Sequence, residues 1–146
     1  MTWWKFWEQG SGGGDPDYYD EGVALVEREL YHDALTSFRL ALKANPDDPA
    51  TLEQMAVVYT HIGLHEEAAR AYERAIELRP RSPSAHYGLA FLQIRIGQRF
   101  EAAGHLRAFL EYARPDRVEE RQIEHARQTL DRLSPPEAPS SDDSAT

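Results

Sequence analysis

Residues 49–82 read PATLEQMAVVYTHIGLHEEAARAYERAIELRPRS, and residues 83–116 read PSAHYGLAFLQIRIGQRFEAAGHLRAFLEYARPD. Set one above the other without a gap, they place Pro49 on Pro83, Gly63 on Gly97 and Ala68 on Ala102, a period of 34 residues. One step earlier, residues 15–48 place Ala34, Phe38, Ala41 and Pro46 on Ala68, Tyr72, Ala75 and Pro80. Three copies of one unit therefore run over 15–48, 49–82 and 83–116. Self-similarity at such a period marks units that bury their apolar faces against one another.

Each copy predicts two helices joined by a tight turn. Leu52, Met55, Ala56 and Tyr59 fall at i, i+3, i+4 and i+7, one face of a helix. Gly63 supplies the turn, and Ala68, Ala69, Tyr72, Ala75 and Ile76 form the apolar face of the second helix. Pro80 closes the unit, since a proline cannot continue a helix. Small residues at 34, 68 and 102 sit where the paired helices cross, with bulky Phe38, Tyr72 and Leu106 four residues on, so small faces large. The fold class predicted is all-α, a solenoid of helix-turn-helix units.

On Leu52, Met55, Ala56, Tyr59, Gly63, Ala68, Tyr72, Ala75 and Pro80 the pattern resembles the tetratricopeptide repeat, and the resemblance covers 102 of 146 residues. Three positions depart from it. Glu21 holds a place that is usually large and apolar, Glu29 replaces the turn glycine, and Phe109 replaces a small residue. The resemblance implies that residues 117–133 form an extra helix shielding the last repeat. Asp116 and Glu119 are spaced like a capping box, and Val118, Ile123, Ala126, Leu130 and Leu133 recur at near-helical spacing. Residues 134–146 have the Pro, Ser and acidic composition of a disordered tail.

Composition excludes several functions. Cys is absent, which removes disulfides, thiolate metal sites and cysteine nucleophiles. With 16 Lys and Arg against 25 Asp and Glu, the net charge of −9 opposes nucleic-acid binding, which rests on clustered cations. Arg outnumbers Lys 14 to 2, a bias of GC-rich bacterial coding sequences. No stretch reaches the roughly 20 apolar residues of a membrane span. Lys5 and Glu8 break the opening run too early for a secretory signal, so the expected location is cytoplasmic.

Catalytic patterns fail residue by residue. GSGGG at 10–14 is followed by Asp15, Pro16 and Asp17 rather than a cation and hydroxyl, so it reads as a linker and not a phosphate loop. His65-Glu66-Glu67 opens like a zinc-protease helix, but Ala69 stands where the second histidine belongs. His61 and His65 flank the Gly63 turn and read as solvent-side residues. The acid pairs Glu66, Glu67 and Glu119, Glu120 read as solvated faces with i,i+4 ion pairs. No Ser, His and Asp arrangement stands out. No enzyme, metal or cofactor is expected.

The resemblance implies instead a concave groove lined by the first helix of every unit, suited to extended peptides or helices. Carried onto this chain, its positions are Tyr19, Val23, Val26 and Glu27; Glu53, Val57, Thr60 and His61; and Tyr87, Phe91, Ile94 and Arg95. Seven of these twelve are aromatic or aliphatic. The clamp by which some of the family grip acidic chaperone tails is missing, because its matching places hold Tyr19, Val23, Gln54, Ser84 and Gly88, none of them a cation. An apolar or aromatic protein or peptide partner fits better.

The chain also carries an aromatic segment of its own. All three tryptophans lie in MTWWKFW, where Trp3, Phe6 and Trp7 share one helical face and Trp4 stands beside it. The spacer EQGSGGG reaches roughly 15 Å on the scaling of about 5–6 Å × √7. Trp3, Trp4, Phe6 and Trp7 form a docking or anchor segment. It occupies the groove of its own chain or a second copy, rests on the inner face of a membrane, or serves as a linear motif read by a different protein. A single cation weakens the membrane reading. The expected function is a non-enzymatic interaction scaffold; the alternative is a peripheral membrane-associated assembly factor.

Overall fold

The computed structural model describes residues 17–116 and 120–134. The aromatic segment with its linker, the capping pair's Glu119, Val118, and residues 135–146 lie outside the described residues. Among those described there are seven helices and no strand: α1 Tyr18–Glu27, α2 Tyr31–Ala44, α3 Pro49–His61, α4 His65–Leu78, α5 Pro83–Arg95, α6 Arg99–Tyr112 and α7 Glu120–Leu133. They divide between two compact units at Pro46–Asp47, α1 and α2 in one and α3 to α7 in the other.

Helix starts follow from local chemistry. Asp17 Oδ1 accepts from the backbone N–H of Tyr19 (3.1 Å) and Asp20 (3.3 Å), capping α1. Pro49 and Pro83 occupy the first turns of α3 and α5, where a missing N–H leaves nothing unpaired. In the first turn of α3, Thr51 Oγ1 donates to Oδ2 of the preceding Asp48 at 2.6 Å.

Three turns share one backbone design. The N–H groups of Glu29, Gly63 and Gly97 donate to the carbonyls of Val26, Thr60 and Ile94 (2.9, 3.3 and 3.2 Å). Those of Leu30, Leu64 and Gln98 donate to Leu25, Tyr59 and Gln93 (2.9, 2.9 and 2.8 Å). This pair of bonds is the Schellman ending, and it needs a left-handed residue at its centre. Gly63 and Gly97 supply it with φ of 81° and 85°; Glu29 is forced into it at 59°. The departure at Glu29 therefore leaves the turn intact but strained.

In the first unit, Ala34, Leu35 and Phe38 are buried. A Cβ on Gly22 would fall 2.4 Å from Phe38 Cε1, so α1 lies flush on that ring only because residue 22 has no side chain. Gly22 is the sole buried residue of α1, and Glu21 is exposed. In the second unit, Ala68, Tyr72 and Ala75 face α3 and α5, and Gly88 repeats the device, its absent Cβ lying 2.4 Å from Tyr72 Cζ. Ala90, Leu106, Phe109, Ile123 and Ala126 form one buried cluster, so the out-of-pattern Phe109 fills space between α5, α6 and the terminal helix α7.

Two local expectations need correction. His65 is half-buried with Nδ1 shielded and unpaired, not a solvent-side residue, because it opens α4 and turns inward at the helix start. Glu67 pairs with Arg70 at i,i+3 (3.7 Å) rather than i,i+4, since residue 71 is a buried alanine.

Candidate protein-binding surface

On α3, Glu53, Val57, Thr60 and His61 stand at i, i+4, i+7 and i+8 and so share one stripe of the helix. On α5 the same spacing aligns Tyr87, Phe91, Ile94 and Arg95, and on α1 it aligns Tyr19, Val23, Val26 and Glu27. The stripes differ from the buried faces of the same helices. Val23, Val26, Val57, Tyr87, Phe91 and Ile94 are all half-exposed, whereas Leu52, Met55, Ala56, Leu89 and Ala90 are buried.

The polar members are held in place. Glu53 accepts hydrogen bonds from Ser82 Oγ (2.7 Å) and Ser84 Oγ (2.5 Å), which ties α3 to the start of α5. Its charge also acts on Tyr72, whose hydroxyl pKa is pushed up to about 12, first by burial and then by Glu53. Thr60 Oγ1 donates to the Ala56 carbonyl at 2.8 Å, so its methyl is what it offers outward. His61 and Arg95 close α3 and α5, both exposed. In the first unit the Tyr19 ring lies 6.1 Å from Phe38, which leaves it half-covered by α2.

The α5 stripe is partly occupied from within the chain. Tyr87, Phe91 and Ile94 pack on the cluster that includes Ile123 and Ala126 of α7. The Phe91 ring stacks on His125 at 4.6 Å and 11°, and the Tyr87 hydroxyl shares a 3.0 Å hydrogen bond with His125 Nδ1. Tyr87 also lies 4.9 Å from Phe109, and burial raises its pKa. His125 was invisible to a repeat-based reading, because α7 follows the last unit and has no equivalent within the period.

One further polar pair lies on the other side of α5. His86 Nε2 meets the Pro80 carbonyl at 2.7 Å, so that nitrogen carries the proton and donates. His86 Nδ1 then accepts from His105 Nδ1 across 3.0 Å. Burial, and secondarily His86, lower the His105 pKa, which favours the neutral form of that ring. Among the described residues no group of three or more His, Asp or Glu side chains converges as metal ligands would. No described helix is long and apolar enough to cross a membrane.

A profile of the TPR repeat matches residues 58–97. The peroxisomal targeting signal receptor of Eremothecium gossypii is 36% identical over 93 residues, which are 63% of this chain and 16% of the receptor. The photosystem I assembly protein Ycf3 of Synechococcus elongatus is 33% identical over 90 residues, 60% of this chain and 52% of that protein. The chain thus spans about half, or far less, of the length of these relatives. Among solved structures, the Yersinia enterocolitica type III secretion chaperone SycD in complex with a peptide of the translocator YopD superposes with a TM-score of 0.75. That match has 15% identity and covers 80% of this chain and 88% of SycD. The Sgt2 TPR domain of Aspergillus fumigatus gives a TM-score of 0.68 at 24% identity, covering 91% and 93% of the two chains. The profile match falls on the helices where the 34-residue period is clearest, so residues 58–97 carry a TPR repeat, and the described helices share the fold of solved TPR domains.

Proposed function

We propose that this protein is a non-enzymatic interaction scaffold that holds an apolar or aromatic peptide or helix on the stripes of α3 and α5 in its second unit, the α1 stripe of the first unit offering a surface of the same kind. We take its own residues Trp3, Trp4, Phe6 and Trp7 as the occupant in the resting state. The observation that supports this reading is the half-exposure of Val57, off the buried face of α3, together with the surface that Phe91 and Ile94 leave open although they pack on the α7 cluster. Similarity to a photosystem I assembly protein and to a chaperone solved with a translocator peptide supports a role in holding another protein. A tethered segment faces an effective concentration on the order of millimolar, so an intrinsic affinity of about 4 kcal/mol half-fills the site.

Tryptophan emission tests it, because all three tryptophans lie in the first seven residues. Docking predicts blue-shifted emission that is independent of protein concentration and moves to the red in Val57→Asp. A shift that grows with concentration assigns the contact to a second copy. Solvent-like emission in buffer removes the proposal, and if it turns blue only on anionic vesicles the membrane-associated assembly factor takes its place. Deleting residues 1–9 should leave far-UV helicity unchanged; its collapse would make the segment part of the core.

A further inference from the structure

The most exposed large apolar side chain among those described is Phe100, at 89%. An exposed aromatic of this size is informative where a scattered aliphatic is not. It lies on the first turn of α6 and lines a cavity of about 360 Å³ with Arg99, Ala103, Arg107, Leu133 and Ser134. The floor is apolar, from Ala103 and half-buried Leu133, and two guanidinium groups stand on α6 at its edge. Neither Arg99 nor Arg107 has an ion-pair partner among the described residues. An aromatic beside two unpaired cations is a surface shaped for a ligand that is both apolar and acidic.

The sequence running out of this cavity has that chemistry. Ser134, one of the lining residues, is followed by PPEAPSSDDSAT, which holds three prolines and three acids and no cation. Pro135 and Pro136 come directly after Ser134. Proline rings dock on aromatic side chains at little entropic cost because their backbone is already extended. Glu137 stands three residues on, within about 10 Å at full extension, and Asp142 and Asp143 follow. We infer that residues 135–146 fold back from the end of α7 into the cavity beside Phe100, with the prolines on the ring and the carboxylates at Arg99 and Arg107. Direct tethering makes this a local event, so even weak contacts fill the site. A separate partner with a proline-rich acidic strand would have to displace the chain's own segment.

The absence of cysteine gives a clean test in the full chain. A nitroxide on Ser140→Cys is read through paramagnetic broadening of backbone amides. A segment that is only tethered would broaden the amides nearest Ser134 equally with or without the Phe100 ring. Docking predicts strong loss of signal at Phe100, Ala103 and Arg107 that disappears in Phe100→Ser, which the ring's exposure makes a mild change to the fold. It also predicts release in Arg99→Glu/Arg107→Glu and at about 1 M salt, where the screening length is about 3 Å. Broadening indifferent to these changes overturns the proposal. So does broadening that fades when the labelled chain is diluted into unlabelled chain, which would assign the contact to a second copy. The tryptophan measurement above does not report on this end of the chain, so the two readings fail independently.

Discussion

Replacing Glu29 by glycine should stabilise the first helix pair. Glu29 sits at φ 59°, in the left-handed region that Gly63 and Gly97 occupy at the equivalent places of the next two units. A side chain there costs about 1–2 kcal/mol. Glycine gives back part of the gain, about 0.5–1 kcal/mol, through the freedom it adds to the unfolded chain. A second contribution is electrostatic. Glu27 and Glu29 lie at the C-terminus of α1, whose last turn holds no basic residue, and a carboxylate against that end of the dipole costs about 0.3–1 kcal/mol. Glu29→Gln should therefore gain about 0.3–0.5 kcal/mol by removing the charge alone, and Glu29→Gly about 1 kcal/mol or slightly more by relieving both terms. Glu29→Asn should fall between, because asparagine tolerates the left-handed region. The reciprocal change has no steric component: a Cβ on Gly63 or Gly97 meets nothing within 4 Å, so Gly63→Ala reads conformational strain directly, at about 1 kcal/mol. Repeat arrays open locally, so the assay is amide hydrogen exchange of α1 and α2 for the Glu29 series and of α3 and α4 for Gly63→Ala, beside urea midpoints at unchanged m. A Glu29→Gly variant no slower to exchange than Glu29→Gln, or a neutral Gly63→Ala, would refute the reasoning.

Gly88→Ala should lose about 1–3 kcal/mol, since its Cβ would fall 2.4 Å from the Tyr72 ring; pairing it with Tyr72→Leu should recover part of the loss in a double-mutant cycle, and strict additivity would mean the two do not touch. Gln98→Asp should gain about 0.5–1 kcal/mol by giving α6 the side-chain cap it lacks, read as a higher urea midpoint. Because burial and His86 hold the His105 pKa below its ordinary 6.5, the folded state binds fewer protons than the unfolded one. The stability this contributes is complete above about pH 6.5 and drains away as the pH falls from there through the depressed folded value. Thermal midpoints of the wild type should fall over that interval more steeply than those of His105→Gln, and parallel curves would dismiss the pair as the cause.

The legible part of the fold was the part written in the period. Ala34, Ala68 and Ala102 are fully buried, each with its large residue four places on, because a repeated interface must be repeated in sequence. The helices likewise turn where Gly63 and Gly97 stand. What the period could not carry was anything made once. His125 stacks on Phe91 from a helix outside the repeats, the two histidines of α5 and α6 meet only in the third unit, and Phe100 is exposed where the equivalent residues are His32 and Glu66. Burial of Thr51 was missed for a related reason. Its hydroxyl is satisfied by Asp48 one turn back, and only that bond lets a polar residue lie at zero exposure.

These single-copy features set the two ends of the described array apart. The α7 end is locked by Phe109, Ile123 and Ala126 and by rings on three helices around Tyr87. At the other end, α1 buries only a glycine, exposes Glu21 where Met55 and Leu89 are buried in the later units, and closes on a strained turn. Each repeat's stability is its own plus that of its interfaces, so opening of the first unit begins at α1. A ligand that must lie on Tyr19, Val23 and Val26 then binds a helix it also has to hold folded, and its apparent affinity is reduced by the fraction of α1 that is open. Any change that firms this helix, Glu29→Gly included, should therefore tighten binding there without touching a contact residue, whereas binding confined to α3 and α5 would be indifferent to it.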